Sequence, residues 1–310
     1  MLGVTLRRIG VGLPVILGVT AIIFFVLRVL PGNPVDIITQ GAPTTPGERH
    51  NIIVEFGLDK PVLAQYGSFL WAALHGSFGA SFETREPVLS EISGQAMATV
   101  ELTVAAMALT IIVGIGFGVL SAVYRDSWID SAIRAVSLLG SSMPIIVTGP
   151  LLILLLSFRL HLFPANGSGT LSELVLPAVA LALFTSGVII RLVRNSMLEI
   201  LNLEFVTALR AKGTGEARVW LRHVLRNALI PAVTLLGVQL GGLLSGAVVV
   251  ETVFGRQGLG SLLVTGIQDK DYPTVQAIVL IVATAYVVIN IGVDVCYAFL
   301  DPRVRSRLAG

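Results

Sequence analysis

At 310 residues, 54% hydrophobic and only 13% charged, with a mean hydropathy of +0.86, the chain carries more apolar side chain than a soluble core could hide. The single cysteine, Cys296, allows neither an internal disulfide nor a cysteine metal cluster. A net charge of only +2, with the basic residues spread along the chain, argues against nucleic acid as a partner. The composition points to an all-α polytopic membrane protein.

Uncharged runs of about 17 residues or more, long enough to cross a hydrocarbon core as helix, occur in chain order at residues 9–27, 102–124, 135–158, 174–190, 227–250 and 272–293. Strict alternation of a barrel strand is missing from them, so helices are expected. The first run follows Arg7 and Arg8 as a signal peptide would. It is too long for that role and no small-residue cleavage site follows, so it is expected to remain as an anchor.

A further uncharged stretch, residues 62–82, is diluted by Gln65, Gly67, His75, Gly76 and Gly79. Leu63, Tyr66, Phe69, Leu70, Ala73, Leu74 and Phe78 recur in it at helical spacing, as in an interfacial or re-entrant amphipathic segment. It is left out of the span count. Six transmembrane helices with cytoplasmic N- and C-termini then place fourteen basic residues inside and six outside, with Arg28 at the outer end of the first span. A seventh span would turn the most basic loop outward.

This topology divides the chain into an N-terminal segment with the first span (residues 1–30), a large external segment (31–98) and a core (99–310). The core includes a cytoplasmic loop at residues 191–226. Pro144 and Pro150, Pro177 and Gly187, and Pro231, Gly237, Gly241, Gly242 and Gly246 fall inside spans. Close helix packing and kinks both account for such residues.

Within the loop, Leu198, Leu201, Phe205 and Leu209 recur at helical spacing, Gly213 suits a helix stop, and Thr214 is placed to cap a second helix. In that second helix Arg218, Arg222 and Arg226 form a basic stripe, which suits lipid headgroups or a partner's groove. Ionisable residues in or beside spans are costly unless they have a role or a partner. Arg28, Glu101 and Asp294 are therefore candidates for the translocation pathway, each with a structural role as the alternative.

FVTALRAKG from Phe205, followed by LRHVLRNALIP from Leu221, resembles the cytoplasmic loop of ABC importer permeases of the dipeptide, oligopeptide, glutathione and nickel branch. The resemblance continues in LPGNP from Leu30, FGLDKP from Phe56, GSFGASF from Gly76, VETVFGRQGLG from Val250, DYP from Asp271 and VDVCYAFLDPRVR from Val293. The branch usually has Arg-Thr-Ala where Thr207, Ala208 and Leu209 stand here, and proline where Gln257 stands.

The resemblance implies coupling helices between the fourth and fifth spans that dock on an ATPase subunit through Phe205, Ala208, Arg210, Ala211, Lys212 and Gly213. It also implies two ATP-binding subunits that hold ATP and Mg, a second homologous permease, an extracytoplasmic solute-binding protein, surrounding membrane lipid and a bacterial inner-membrane location. This chain has no GxxxxGK[ST] phosphate loop, so it is expected to be a transport subunit and not itself an enzyme. An intramembrane enzyme is disfavoured, since His50, His75, His161 and His223 lie in separate segments and no HExxH or GxSxG occurs. A gradient-driven secondary transporter is the alternative; it often shows inverted repeats, and the two halves here have no clear internal similarity.

Overall fold

In the computed structural model the backbone is described for residues 2–29, 34–39 and 43–300, and side chains for these except 2–7, 34, 37 and 294–300. Among the described residues the regular structure is helical, with one isolated bridge between Ala80 and Pro87. The helices are α1 (Leu2–Val29), α2 (Pro34–Ile38), α3 (Pro46–Glu55), α4 (Val62–Leu74), α5 (Val88–Val123), α6 (Trp128–Ser142) and α7 (Ile145–Leu152). There follow α8 (Leu171–Leu201), α9 (Glu204–Ala211), α10 (Glu216–Arg218), α11 (Leu225–Val253), α12 (Leu259–Gln268) and α13 (Tyr272–Leu300). A π-helical turn, Ile153–Arg159, continues α7, and another, Val219–Val224, joins α10 to α11.

Among the described residues five stretches are long and apolar enough to cross a membrane: Arg8–Val29, Val88–Val123, Leu171–Leu201, Glu216–Val253 and Tyr272–Val293. The third expected span is not one straight helix. Its two parts, Trp128–Ser142 and Ile145–Arg159, are bent by 112°, so the count reaches six only if the pair is one broken span. The cause is local. Pro144 cannot continue the hydrogen-bond ladder and pushes the residue before it out of the α region. Met143 accordingly sits at φ −83°, ψ 128°.

The chain forms two compact units. One is built mainly on Thr99–Arg256, the other on Leu6–Ala98 and Gln257–Val287. In the first, α8 packs against α6, α7 and α11. Leu176, Leu181, Leu243, Val250 and Phe254 form one buried cluster there, and Ile189, Val193, Met197, Val206, Val219 and Val224 a second.

Small residues set the helix spacing in this unit. A Cβ at Gly114 or Gly118 of α5 would lie 2.7 Å from Ile189 or Val193 of α8, a G-x-x-x-G approach that suits close membrane helices. Gly187 of α8 lies against the backbone of α6, where a Cβ would come within 2.4 Å of the Ser137 carbonyl oxygen. For these glycines close packing is the reading that the structure favours.

In the second unit, α4 packs on α1. The Tyr66 hydroxyl donates to the Leu17 carbonyl at 3.0 Å and lies 3.0 Å from the Thr20 hydroxyl, and its ring is 5.0 Å from that of Phe24. The amphipathic helix expected at residues 62–82 is therefore present but shorter, ending at Leu74 with His75 as its cap before Gly76 at φ +76°. Asp271, in the DYP sequence, accepts from the Ser81 hydroxyl (2.5 Å), the Phe82 N–H (3.0 Å) and the Thr274 hydroxyl (2.7 Å). That carboxylate joins GSFGASF to the start of α13, although 190 residues separate Ser81 from Asp271.

Candidate functional site: an exposed helical loop and its anchorage

The loop singled out in the sequence folds as helix, glycine turn, helix. Its first helix differs from the expectation. The spacing of Leu198, Leu201, Phe205 and Leu209 predicts one continuous apolar face; α8 instead ends at Leu201 and α9 begins at Glu204, and Leu198, Leu201 and Leu209 pack against the buried cluster while Phe205 does not. Val206 becomes the fully buried residue, and Phe205 is left 40% exposed.

Ala208, Arg210, Ala211, Lys212 and Gly213 are exposed as well, so all six candidate coupling residues face outward together. Gly213 takes φ +77°, a conformation that costs an L-residue with a Cβ about 1–2 kcal/mol. The Gly213 N–H donates to the Arg210 carbonyl (2.9 Å) and the Thr214 N–H to that of Leu209 (3.1 Å), the paired bonds of a Schellman stop. The cap of the second helix is Gly215, not Thr214. The glycine turn takes one residue more than the spacing suggested.

A bidentate pair closes the turn. Arg210 donates through Nε and Nη2 to the two Glu216 carboxylate oxygens at 2.7 and 3.1 Å, and the Trp220 indole N–H donates to the same carboxylate at 3.1 Å. The hydrogen bonds that Arg210 donates to Glu216 raise the Arg210 pKa and lower that of Glu216, which favours the ionised pair. Arg218, Arg222 and Arg226 are all exposed, as the stripe requires.

Beneath the loop lies a buried ion pair that the sequence did not reveal. Asp130, near the start of α6, is fully buried, and Arg194 of α8 grips both of its oxygens at 2.8 and 2.7 Å while remaining only 13% exposed. The Ser121 hydroxyl of α5 (2.5 Å) and the Asp126 N–H (3.1 Å) complete the carboxylate, and Arg134 lies 3.4 Å away. Three helices therefore meet on one carboxylate seven residues before α8 ends. Arg191, one turn earlier, donates to the Ser137 carbonyl (3.2 Å) and the Ser141 hydroxyl (2.9 Å).

The candidate pathway residues have partners of their own. Arg28 donates to the Gln65 side-chain oxygen from Nη2 (2.7 Å) and Nε (3.3 Å) and to the Phe24 carbonyl from Nη1 (3.0 Å), with its guanidinium 3.4 Å from the Phe24 ring centre. Glu101, in the other unit, pairs with buried Arg256 at 2.8 Å. The side chain of Asp294 lies outside the described residues, as do Leu30 to Asn33 of LPGNP and the C-terminal arginines.

Comparison with known proteins settles the class. Residues 114–306 match the family model described as binding-protein-dependent transport system inner membrane component, and residues 1–103 match the N-terminal model of the same system. The chain belongs to this family of importer permeases.

Among its relatives, the dipeptide transport system permease protein DppB of Escherichia coli (strain K12) is 37% identical over 99% of this chain and 100% of its own length. The protein of the same name from Alkalihalophilus pseudofirmus is 34% identical over 98% of this chain and 100% of its own. A chain of the MetNI methionine ABC transporter, solved in inward facing conformations, superposes with a TM-score of 0.59 at 21% identity, covering 70% of this chain and 99% of that one. At that identity the likeness concerns the fold. The permease is thus a multi-pass protein of the bacterial inner membrane, in the importer family that its motifs resemble.

Proposed function

We propose that this permease carries peptides or related small solutes by alternating access, as one of two homologous membrane subunits driven by two ATP-binding subunits. ATP and Mg²⁺ sit on those partners, since this sequence holds no phosphate loop. Both termini and the 191–226 loop face the cytoplasm, in keeping with the excess of Lys and Arg on that side. Residues 31–98 face the solute-binding protein, and the basic stripe of Arg218, Arg222 and Arg226 meets lipid headgroups beside the ATPase.

The observation that carries this reading is the outward face of the loop. Phe205 is an exposed aromatic on a helix fixed from behind by Val206, the arrangement of an anchor that fills a partner's pocket. Ala208 and Gly213 are small enough to let the partner approach, and Lys212 and Arg210 add charge around them. Motion of the ATPase would reach the spans through α8 and α11, both of which meet in the cluster that buries Val206. We assign Arg28, Glu101 and Asp294 to the translocation pathway, Glu101 in the wall of the core beside Arg256.

Reconstitution with the second permease, the ATP-binding subunits and the solute-binding protein tests this. Dipeptide uptake into proteoliposomes is expected to need both ATP and the binding protein. Gly213→Val is expected to slow uptake about tenfold while the complex still assembles, since the left-handed turn loses about 1–2 kcal/mol. Uptake that continues without ATP and follows an ion gradient would favour the secondary transporter and sink this reading.

A further inference from the structure

The second unit contains a pocket of about 350 Å³ that the coupling reading does not use. It lies where FGLDKP, GSFGASF and DYP come together with the end of α1, and its wall includes Phe24, Phe56, Phe69, Phe78, Phe82 and Tyr272. Its volume falls at the lower end of the range for small-molecule sites, about 300–1,000 Å³. A di- or tripeptide suits such a space.

Three charged side chains line it: Arg28, Lys60 and Glu55. Arg28 is the informative one. A guanidinium has five N–H groups, and three of those on Arg28 are engaged, by the Gln65 side chain and the Phe24 carbonyl. Both acceptors are neutral, and among the described residues no carboxylate bonds to this half-buried cation, which keeps two donors in reserve beside an apolar wall. Burying a cation without an anion is unfavourable, and a carboxylate that enters with two oxygens meets both needs. Gln65 and the Phe24 ring hold the guanidinium in one orientation, which lowers the cost of ordering it on binding. Glu55, exposed on the same wall, is of the right charge for an ammonium group.

We propose that this pocket is a subsite for small peptides on the outer face of the permease, in which Arg28 takes the terminal carboxylate and Glu55 the terminal ammonium, with the aromatic wall covering a side chain. It rests on the orientation and peptide reading given above. The permease then has selectivity of its own, favouring short solutes with a free C-terminus.

The test uses the assembled permease complex in phosphatidylcholine nanodiscs without the solute-binding protein, titrated calorimetrically with L-alanyl-L-phenylalanine and with its C-terminal amide. The free peptide is expected to bind at least about tenfold more tightly than the amide, about 1.4 kcal/mol. Arg28→Gln is expected to remove that difference and Arg28→Lys to keep part of it. Because Arg28 also holds α4, Lys60→Gln at an exposed position of the same wall gives an independent reading: it is expected to weaken the peptide more than the amide. Equal affinity for peptide and amide, or no saturable binding to the unmodified complex, overturns the proposal. So does a loss of peptide binding in phosphatidylglycerol nanodiscs that Arg28→Gln relieves, which would make the pocket a lipid-headgroup site. ATP-driven uptake measured on the same complexes separates the two ideas. Intact uptake without binding overturns the pocket alone, and binding without any ATP-driven uptake overturns the importer mechanism.

Discussion

Replacing Arg194 with alanine is expected to cost this permease about 3–5 kcal/mol of stability, the range for removing one partner of a buried ion pair. Asp130 has no access to solvent, and Arg194 supplies its two strongest bonds. Ser121 and the Asp126 N–H would remain, together with a more distant Arg134 at 3.4 Å. They are too few to hold a carboxylate charge in a dry site. The melting temperature in detergent should drop clearly, and the complex should lose uptake because the end of α8 that leads into the loop is no longer tied to α5 and α6.

A double replacement, Asp130→Asn with Arg194→Met, separates the pair from its parts. Removing both charges leaves no unpaired ion, so the double variant is expected to be more stable than Arg194→Ala alone. If Arg194→Ala melted within about 0.5 kcal/mol of the unmodified protein, the size of an ordinary surface substitution, the pair would not be an anchorage.

The second large effect is expected at Gly187. A single methyl group there would lie 2.4 Å from the Ser137 carbonyl oxygen and 3.2 Å from the Ser141 Cβ, and a backbone atom cannot rotate away as a side chain can. Gly187→Ala should therefore push α8 from α6 and destabilise by about 1–3 kcal/mol, the range for overpacking. The shift would also disturb the Arg191 bonds to Ser137 and Ser141, which cross the same contact. Gly116→Ala is the matched control, because nothing lies within 4 Å of the position its Cβ would take. Alanine's better helix propensity should leave that variant neutral or up to about 1 kcal/mol more stable. Equal melting of the two variants would contradict close packing as the reason for glycine at 187.

Much of this architecture was legible because lipid demands long uncharged helices, and five such runs coincide with helices. Helix ends were less so. The run beginning at Leu102 belongs to a helix that starts at Val88, because Glu91 and Glu101 end an uncharged run without ending a helix. Proline 144 was visible, but its neighbours do not tell a kink from the 112° bend that occurs. Gly213 was readable as a stop because a left-handed residue strongly favours glycine. Of the expected apolar face Leu198, Leu201 and Leu209 do pack inward, and Phe205 was misread, since the break at Asn202 and Leu203 has no proline or glycine to mark it. Asp130 and Arg194 stand 64 residues apart. Nothing in a single sequence joins them.

The central claim is that the outward face of α9 delivers the ATPase's motion to this permease. Site-directed cross-linking tests it most directly, in a Cys296→Ser background that leaves no native thiol. Cysteine is placed at Ala208 in one variant and at Leu162 in another, a residue also exposed to solvent, in the connection between α7 and α8. With the assembled importer in native membranes, Ala208→Cys is expected to cross-link to the ATP-binding subunit, with a yield that changes when ATP is trapped, and Leu162→Cys is expected not to. Cross-linking from Leu162 but not from Ala208 would reverse the orientation and contradict the account.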